Sequence, residues 1–168
     1  MKKFVFTICI LLFLATVLGT AAKNEMPVLE GTSVKTVAER AKKFGLKELF
    51  ADEDFGHGTK MKSLSNDSYT LMIDIIYSTA TKEILCIDLI TSPKTSASQQ
   101  REFVLGMADV LCPPEDVEEV TSWLNKNIGK KAKEDINGID YELSLGPNKN
   151  IIYDVGMASW EEWDLSMN

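Results

Sequence analysis

The sequence predicts a two-layer α+β domain, in which an antiparallel sheet of about five strands carries helices on one face. Segments with apolar residues at helical spacing are separated by segments in which every second residue is apolar. Consecutive strand segments follow one another through short turns, and such turns favour antiparallel pairing. The expected element order is α-β-β-α-α-β-β-β, and we expect a single domain over residues 32–168.

The first helix begins after Ser33, a residue type that caps helix N-termini. Gly45 follows its last apolar position, where a left-handed backbone commonly ends a helix. The apolar face consists of Val34, Val37, Ala38, Ala41 and Phe44, with Lys35, Arg40, Lys42 and Lys43 on the other face. Residues 46–67 are harder to assign: the first few could extend the helix by a turn, and residues 52–60 have the composition of a turn.

Two strands follow at residues 69–78 and 83–91, because both alternate with a period of two. Each carries apolar residues on both faces, which is typical of central strands. Helices are predicted over residues 98–111 and from Pro114 to about residue 128. Asn137-Gly138 is the strongest hairpin signal, joining a strand at 130–136 to one at 139–145, and residues 151–155 form the last strand.

The chain begins with the pattern of a secretory signal peptide over residues 1–22. Two lysines precede an apolar run over residues 4–18, and Thr20 and Ala22 suit a cleavage site before Lys23. An uncleaved anchor is the alternative, but a membrane-spanning helix needs about 20 apolar residues. We expect a linker at 23–31 and a bacterial protein that is secreted or held in the cell envelope.

The charge balance limits the classes of partner. The full chain has a net charge of −7, and removal of the two leader lysines would make it −9. Such a surface is repelled by phosphate backbones and by anionic lipids, which argues against nucleic acid and membrane adsorption. We therefore expect a protein, peptide or glycan partner of unknown identity, no membrane span after signal cleavage, and a monomeric chain.

Two cysteines, Cys86 and Cys112, follow the leader, and in an exported protein they are candidates for one disulfide. Two buried free thiols are the alternative, because free cysteine packs like a small apolar side chain.

Three residues are candidates for ligand binding. Trp160 and Trp163 lie among acidic residues, so they could stack on sugars or seat a cationic peptide; alternatively they cover the core. His57 is the only histidine and lies between two glycines, where it could serve a ligand or simply form an exposed turn. A single histidine is too few ligands for zinc, and the acids at 52–54 lack calcium-loop spacing. No metal or cofactor is expected.

Asp74 and Asp88 lie on the two adjacent predicted strands, and they would pair on one face if the register allows it. Paired carboxylates could serve a small hydrolase. No nucleophile motif or phosphate-binding glycine loop is present in the sequence, so no catalytic residue is assigned. The sequence thus favours a non-enzymatic binding module, with a carboxylate-dependent hydrolase and an accessory subunit of a larger envelope complex as alternatives.

Overall fold

The structure is a computed structural model, and it describes residues 28–146 and 149–157. The predicted leader, most of the predicted linker, and both Trp160 and Trp163 lie outside these residues. The helices are α1 (Val34–Ala41), α2 (Ala97–Met107) and α3 (Val117–Asn127). The strands are β1 (Lys47–Glu48), β2 (Glu53–Gly56), β3 (Thr59–Ser65), β4 (Leu71–Ser78), β5 (Ile84–Thr91), β6 (Ala132–Ile136), β7 (Ile139–Leu145) and β8 (Ile151–Met157).

These strands form one antiparallel sheet in the order β1-β3-β4-β5-β8-β7-β6, and β2 pairs with β3 beside β1. The α+β class is confirmed, but the described part of the chain has eight strands rather than about five. The element order is accordingly α-β-β-β-β-β-α-α-β-β-β. Strands β5 and β8 are distant in sequence and adjacent in the sheet, so they join its two halves.

The additional strands come from the segment that the sequence left unassigned. Strands β2 and β3 form a hairpin whose two-residue turn is His57-Gly58, with φ of 48° and 76°. Two positive φ values are typical of the turns that suit the twist of paired strands. Strand β2 is exposed along its whole length. An exposed strand has no buried face, and it therefore leaves no alternating apolar pattern in the sequence.

Local signals that the sequence did carry are confirmed. The Ser33 hydroxyl accepts a hydrogen bond from the Thr36 amide at 3.2 Å and caps α1. Gly45 has a φ of 73° at the end of the 3₁₀ turn that follows α1. Asn137 and Gly138 both have positive φ, 54° and 84°, in the turn between β6 and β7.

The helices cover one face of the sheet, and alternate residues of the central strands are fully buried beneath them. They are Ile73 and Ile75 on β4, Ile87 and Leu89 on β5, Tyr141 and Leu143 on β7, and Tyr153 and Val155 on β8. The helices supply Phe103, Val104, Val120 and Leu124 to the same core. Because successive side chains of a strand alternate, the residues between the buried ones point to the opposite face, which is called the open face below.

The predicted disulfide is not formed, and Cys86 and Cys112 are both free thiols. Cys86 lies on the open face, where its Sγ is 3.5 Å from Oδ1 of Asp88. Cys112 is buried in the core on the helical side, and its thiol donates to the carbonyl of Ala108 at 3.2 Å. The sheet lies between the two sulfur atoms. Both thiols are free, as in the alternative, but only Cys112 is buried and Cys86 is half-buried.

Candidate functional site

A groove of about 590 Å³ lies between α1 and the edge of the sheet formed by β1, β3 and β4. Its floor is apolar and consists of Val34, Ala38, Leu46, Leu64 and the ring of Tyr77. Leu46 and Leu64 are core residues, whereas Val34 and Ala38 are half-buried on the helix. Small-molecule sites commonly have volumes of about 300–1,000 Å³ and mostly apolar walls.

The polar residues around the groove are predominantly basic. Five lysines line it, namely Lys35, Lys42, Lys47, Lys62 and Lys82. Two acids, Glu48 and Asp52, lie on the same surface, which leaves an excess of three positive charges. The chain as a whole has a net charge of −7. The groove therefore carries charge of the opposite sign to the rest of the protein.

One lysine of the groove is held in a compact network on the inner wall. Lys62 Nζ lies 2.7 Å from Oδ1 of Asp52 and also contacts the carboxylate of Glu48. The Tyr77 hydroxyl donates a hydrogen bond to the other Asp52 oxygen. Because the Lys62 side chain is only 17% exposed, its charge is satisfied by these neighbours rather than by water.

The network shifts the acidities of its members. Burial acts to raise the pKa of Asp52, but the interactions with Lys62 and Tyr77 outweigh it, and the pKa lies below its usual value. Burial and then the hydrogen bond to Asp52 raise the pKa of Tyr77 to about 12. Asp52 is thus ionised and Tyr77 is neutral at physiological pH, and on the inner wall one ammonium group, that of Lys62, serves the two carboxylates of Asp52 and Glu48.

The remaining lysines of the groove differ in how they are paired. Lys47 forms an exposed ion pair with Asp67. Lys35, Lys42 and Lys82 are exposed, and none of the three forms an ion pair with another residue of the described part of the chain. Lys82 Nζ lies 5.5 Å from the centroid of the Tyr77 ring, which is cation–π distance. These three ammonium groups are available to a ligand.

A second polar feature crosses the open face as a row of carboxylates. Asp74, Asp88, Asp154 and Glu142 lie directly opposite one another on β4, β5, β8 and β7. Each lies between two fully buried residues of its strand, and its side chain therefore points away from the core. Ser63 and Lys133 extend the row at its two ends.

The two carboxyl groups in the middle of this row, those of Asp88 and Asp154, have raised pKa values. The carboxyl groups of Asp88 and Asp154 are hydrogen-bonded to each other. Burial, followed by the charge and hydrogen bond of Asp88, raises the pKa of Asp154 to about 7. Burial also raises the pKa of Asp88. Asp74 is stabilised differently, because the Ser63 hydroxyl donates to its Oδ1 at 2.6 Å.

A third surface has the opposite charge to the groove. A pocket of about 540 Å³ between α3 and β6 is lined by the half-buried Trp123 and a set of acids, Glu115, Glu118, Glu119 and Glu134. It has the character that the sequence assigned to Trp160 and Trp163, an aromatic ring among carboxylates.

The sequence-predicted residues fall in different places. Asp74 and Asp88 are brought opposite each other, as the hydrolase alternative requires. His57 occupies the β2–β3 turn and does not line the groove. Trp160 and Trp163 are outside the described residues.

Sequence reasoning missed the groove and the partner of Asp88. The groove lysines come from four separate segments and form no motif, and those on α1 read simply as its polar face. Alternation along β8 places Asp154 on the outer side of its strand, but no local pattern indicates that β8 lies beside β5. The turn at His57 had a signal, because histidine is enriched among residues with positive φ.

Within the described residues, no three or more His, Cys, Asp or Glu side chains are grouped so as to hold a metal ion. None of the helices in that part of the chain has the length and apolarity that crossing a membrane requires. No protein-family model, curated protein or solved structure matches this chain. Function therefore has to be argued from the chemistry of the sites themselves.

Proposed function

We propose that this chain is a non-enzymatic binding module, exported to the bacterial envelope or beyond, and that the groove between α1 and the sheet edge is its binding site. The signal-peptide pattern over residues 1–22 supports export. The observation that carries the proposal is the groove itself, a cavity of about 590 Å³ with an apolar floor and an excess of lysines.

The placement of these lysines favours a ligand over a purely structural role. Unpaired charges of one sign on one surface repel one another, and this repulsion opposes folding. Lys35 also lies in the first turn of α1, where a positive charge opposes the helix dipole, and that turn contains no acidic residue. A bound partner that complements the groove would relieve both effects.

The proposal is tested by filling the floor of the groove. Ala38→Phe places an aromatic ring where Ala38 now lies, and Ala97→Phe adds the same ring at the exposed start of α2, outside the groove. Nuclear magnetic resonance spectra are recorded with a mixed library of neutral, anionic and cationic small molecules. We expect some library members to shift groove resonances in the wild type and in Ala97→Phe, but not in Ala38→Phe.

Library members that shift only resonances elsewhere, or that bind equally well to Ala38→Phe, would contradict the proposal. The spectrum of the unliganded variant establishes that it is folded. Because α1 packs on the core through Val37 and Ala41, the half-buried Ala38 position tolerates a larger side chain better than they would.

The hydrolase alternative is the second candidate, and the Asp88–Asp154 pair is the observation that favours it. A carboxylic acid with a pKa of about 7 is matched to acid–base chemistry near neutral pH. It ranks second because neither residue lines the groove. Hydrolysis of chromogenic glycosides or esters that is lost in Asp88→Asn and Asp154→Asn would favour it, and activity retained in both variants would remove it.

A further inference from the structure

We infer that the ligand of the groove is a small amphipathic anion, with one carboxylate-type head and an apolar body. The inference rests on the proposed function, because it names the chemical class of ligand for the same groove. Three observations carry it: the pairing state of the lysines, the apolar floor and the direction of α1.

The pairing state of the lysines selects the sign of the charge. Lys62 is paired with both inner acids, Asp52 and Glu48, and Lys47 is paired with Asp67. Lys35, Lys42 and Lys82 remain around the groove without an ion pair in the described part of the chain. An anion reduces the repulsion among these three ammonium groups, whereas a cation increases it.

The floor selects an apolar body. The carbon surface that an occupant can cover is mainly that of the half-buried Val34 and Ala38, because Leu46 and Leu64 beneath them are only 2% and 4% exposed. A hydrophilic anion such as inorganic phosphate would leave this surface in contact with water, so it gains nothing from the floor. An alkyl or aryl chain that removes the floor from water gains the hydrophobic contribution in addition to the charge interaction.

The direction of α1 agrees with an anionic head near the start of the helix. Ser33, Val34 and Lys35 line the groove, so the helix begins there. The first amide groups of a helix have no acceptor within the helix, and its N-terminus carries partial positive charge. The Ser33 hydroxyl satisfies the Thr36 amide and leaves those of Val34 and Lys35 to other acceptors.

The test compares three molecules with the same eight-carbon chain: octanoate, octylammonium and 1-octanol. Each is titrated into the isotope-labelled protein, and shifts are followed for resonances of groove residues and of the Trp123 pocket. We expect octanoate to shift the groove with a dissociation constant at least roughly tenfold lower than that of octylammonium, as two or three exposed charge interactions imply.

Charge-reversal variants locate the effect. The double variant Lys35→Glu/Lys82→Glu is expected to weaken octanoate binding by roughly tenfold or more. The control Lys94→Glu/Lys131→Glu changes two exposed lysines outside the groove by the same total charge, and its affinity should stay within about twofold. All four substitutions are at exposed positions, and dispersed spectra verify that both variants are folded.

The outcomes separate this inference from the proposed function. If octanol or octylammonium binds in the groove as tightly as octanoate, the inference of an anionic head is wrong, although the groove is still a binding site. Inorganic phosphate shifting the groove as strongly as octanoate would overturn the apolar body. If both double variants lose the same octanoate affinity, the loss comes from the net charge of the protein, and the assignment to Lys35 and Lys82 is wrong. If no octyl probe reaches the groove, the inference fails, and the library test with Ala38→Phe still decides the proposed function.

Discussion

Single residues determine the charge state of the groove and of the carboxylate row. In the groove that residue is Lys62. Its ammonium group lies between the carboxylates of Asp52 and Glu48, with the Tyr77 hydroxyl on the far side of Asp52. The Lys62 side chain is 17% exposed and that of Asp52 is 24% exposed, so water does little to replace a lost partner. The inner wall of the groove depends on this one cation.

Lys62→Met should lower the free energy of unfolding by about 1–3 kcal/mol, because it leaves a half-buried carboxylate without its counter-charge. Urea denaturation measures the change. Lys47→Met is the matched control, since it removes an exposed ion pair and should cost less than about 1 kcal/mol. Equal losses in the two variants would show that the Lys62 network does not stabilise the fold.

The raised pKa of Asp154 makes the stability of the fold depend on pH: the fold becomes less stable as the pH rises. The pKa of an unfolded aspartate is about 3.9, whereas the folded value is about 7. Between these values the folded protein binds a proton that the unfolded chain has lost, and this proton stabilises the fold. Its contribution is fully present below about pH 4 and disappears as the pH rises through about 7.

The thermal midpoint of the wild type should therefore be lower at pH 8 than at pH 6. In Asp154→Asn the difference between the two midpoints should be smaller. Glu134→Gln is the control, because it removes an exposed carboxyl on β6 and should leave the difference as in the wild type. Differential scanning calorimetry at the two pH values gives the comparison. An unchanged slope in Asp154→Asn would mean that Asp154 is ionised throughout this range.

At the scale of elements, some hairpins could be predicted from the sequence and one could not. The β6–β7 turn was predictable because Asn-Gly is the residue pair that best tolerates two positive φ values. In the β2–β3 turn, His57 and Gly58 also have positive φ values. Because β2 is exposed throughout, however, no alternation of apolar and polar residues precedes this turn in the sequence. Strands β4 and β5 were predictable because their alternation reflects a buried face.

The β6–β7 turn also fastens the hairpin to the start of α3. The Asn137 side-chain amide donates to Oδ1 of Asp116 at 2.7 Å, and Asp116 is only 4% exposed. Asn137→Gly keeps the positive φ and removes this bond, so it should lower the free energy of unfolding by about 1–2 kcal/mol. Asn137→Ala adds backbone strain and should cost about 1 kcal/mol more. Equal stability of the two variants in urea would show that the strain is negligible.

At the scale of the whole molecule, the sites depend on which strands become neighbours, and local sequence does not specify that. The groove gathers lysines from α1, β1, β3 and the β4–β5 turn. The proton-sharing pair exists only because β5 lies beside β8. Asp74 and Asp88 were expected to pair only if the register allowed it. The short turn between β4 and β5 limits that register, and a bulge between Ile76 and Tyr77 then shifts it so that Asp74 and Asp88 face each other. Sequence-distant neighbours have no such constraint.

The two faces of the sheet also determine whether Cys86 and Cys112 can form a disulfide. A bridge between Cys86 and Cys112 requires α-carbons within about 7 Å and side chains that face each other. Cys86 points to the open face beside Asp88, and Cys112 is buried under the helices. Burial raises the pKa of the Cys112 thiol to about 11, and burial together with Asp88 raises that of Cys86. Both thiols are therefore protonated and poorly reactive at neutral pH.

A reducing agent should accordingly leave the thermal midpoint of the protein unchanged. A disulfide that closed the chain between these cysteines would contribute about 3 kcal/mol, and its reduction would lower the midpoint by several degrees. Thermal unfolding with and without dithiothreitol makes the comparison, and Cys112→Ser in the reduced and unreduced states is the control. A midpoint that falls with dithiothreitol in the wild type but not in Cys112→Ser would require the two cysteines to meet. Because the sheet separates them, that result would also require Cys112 to leave the helical side of the sheet.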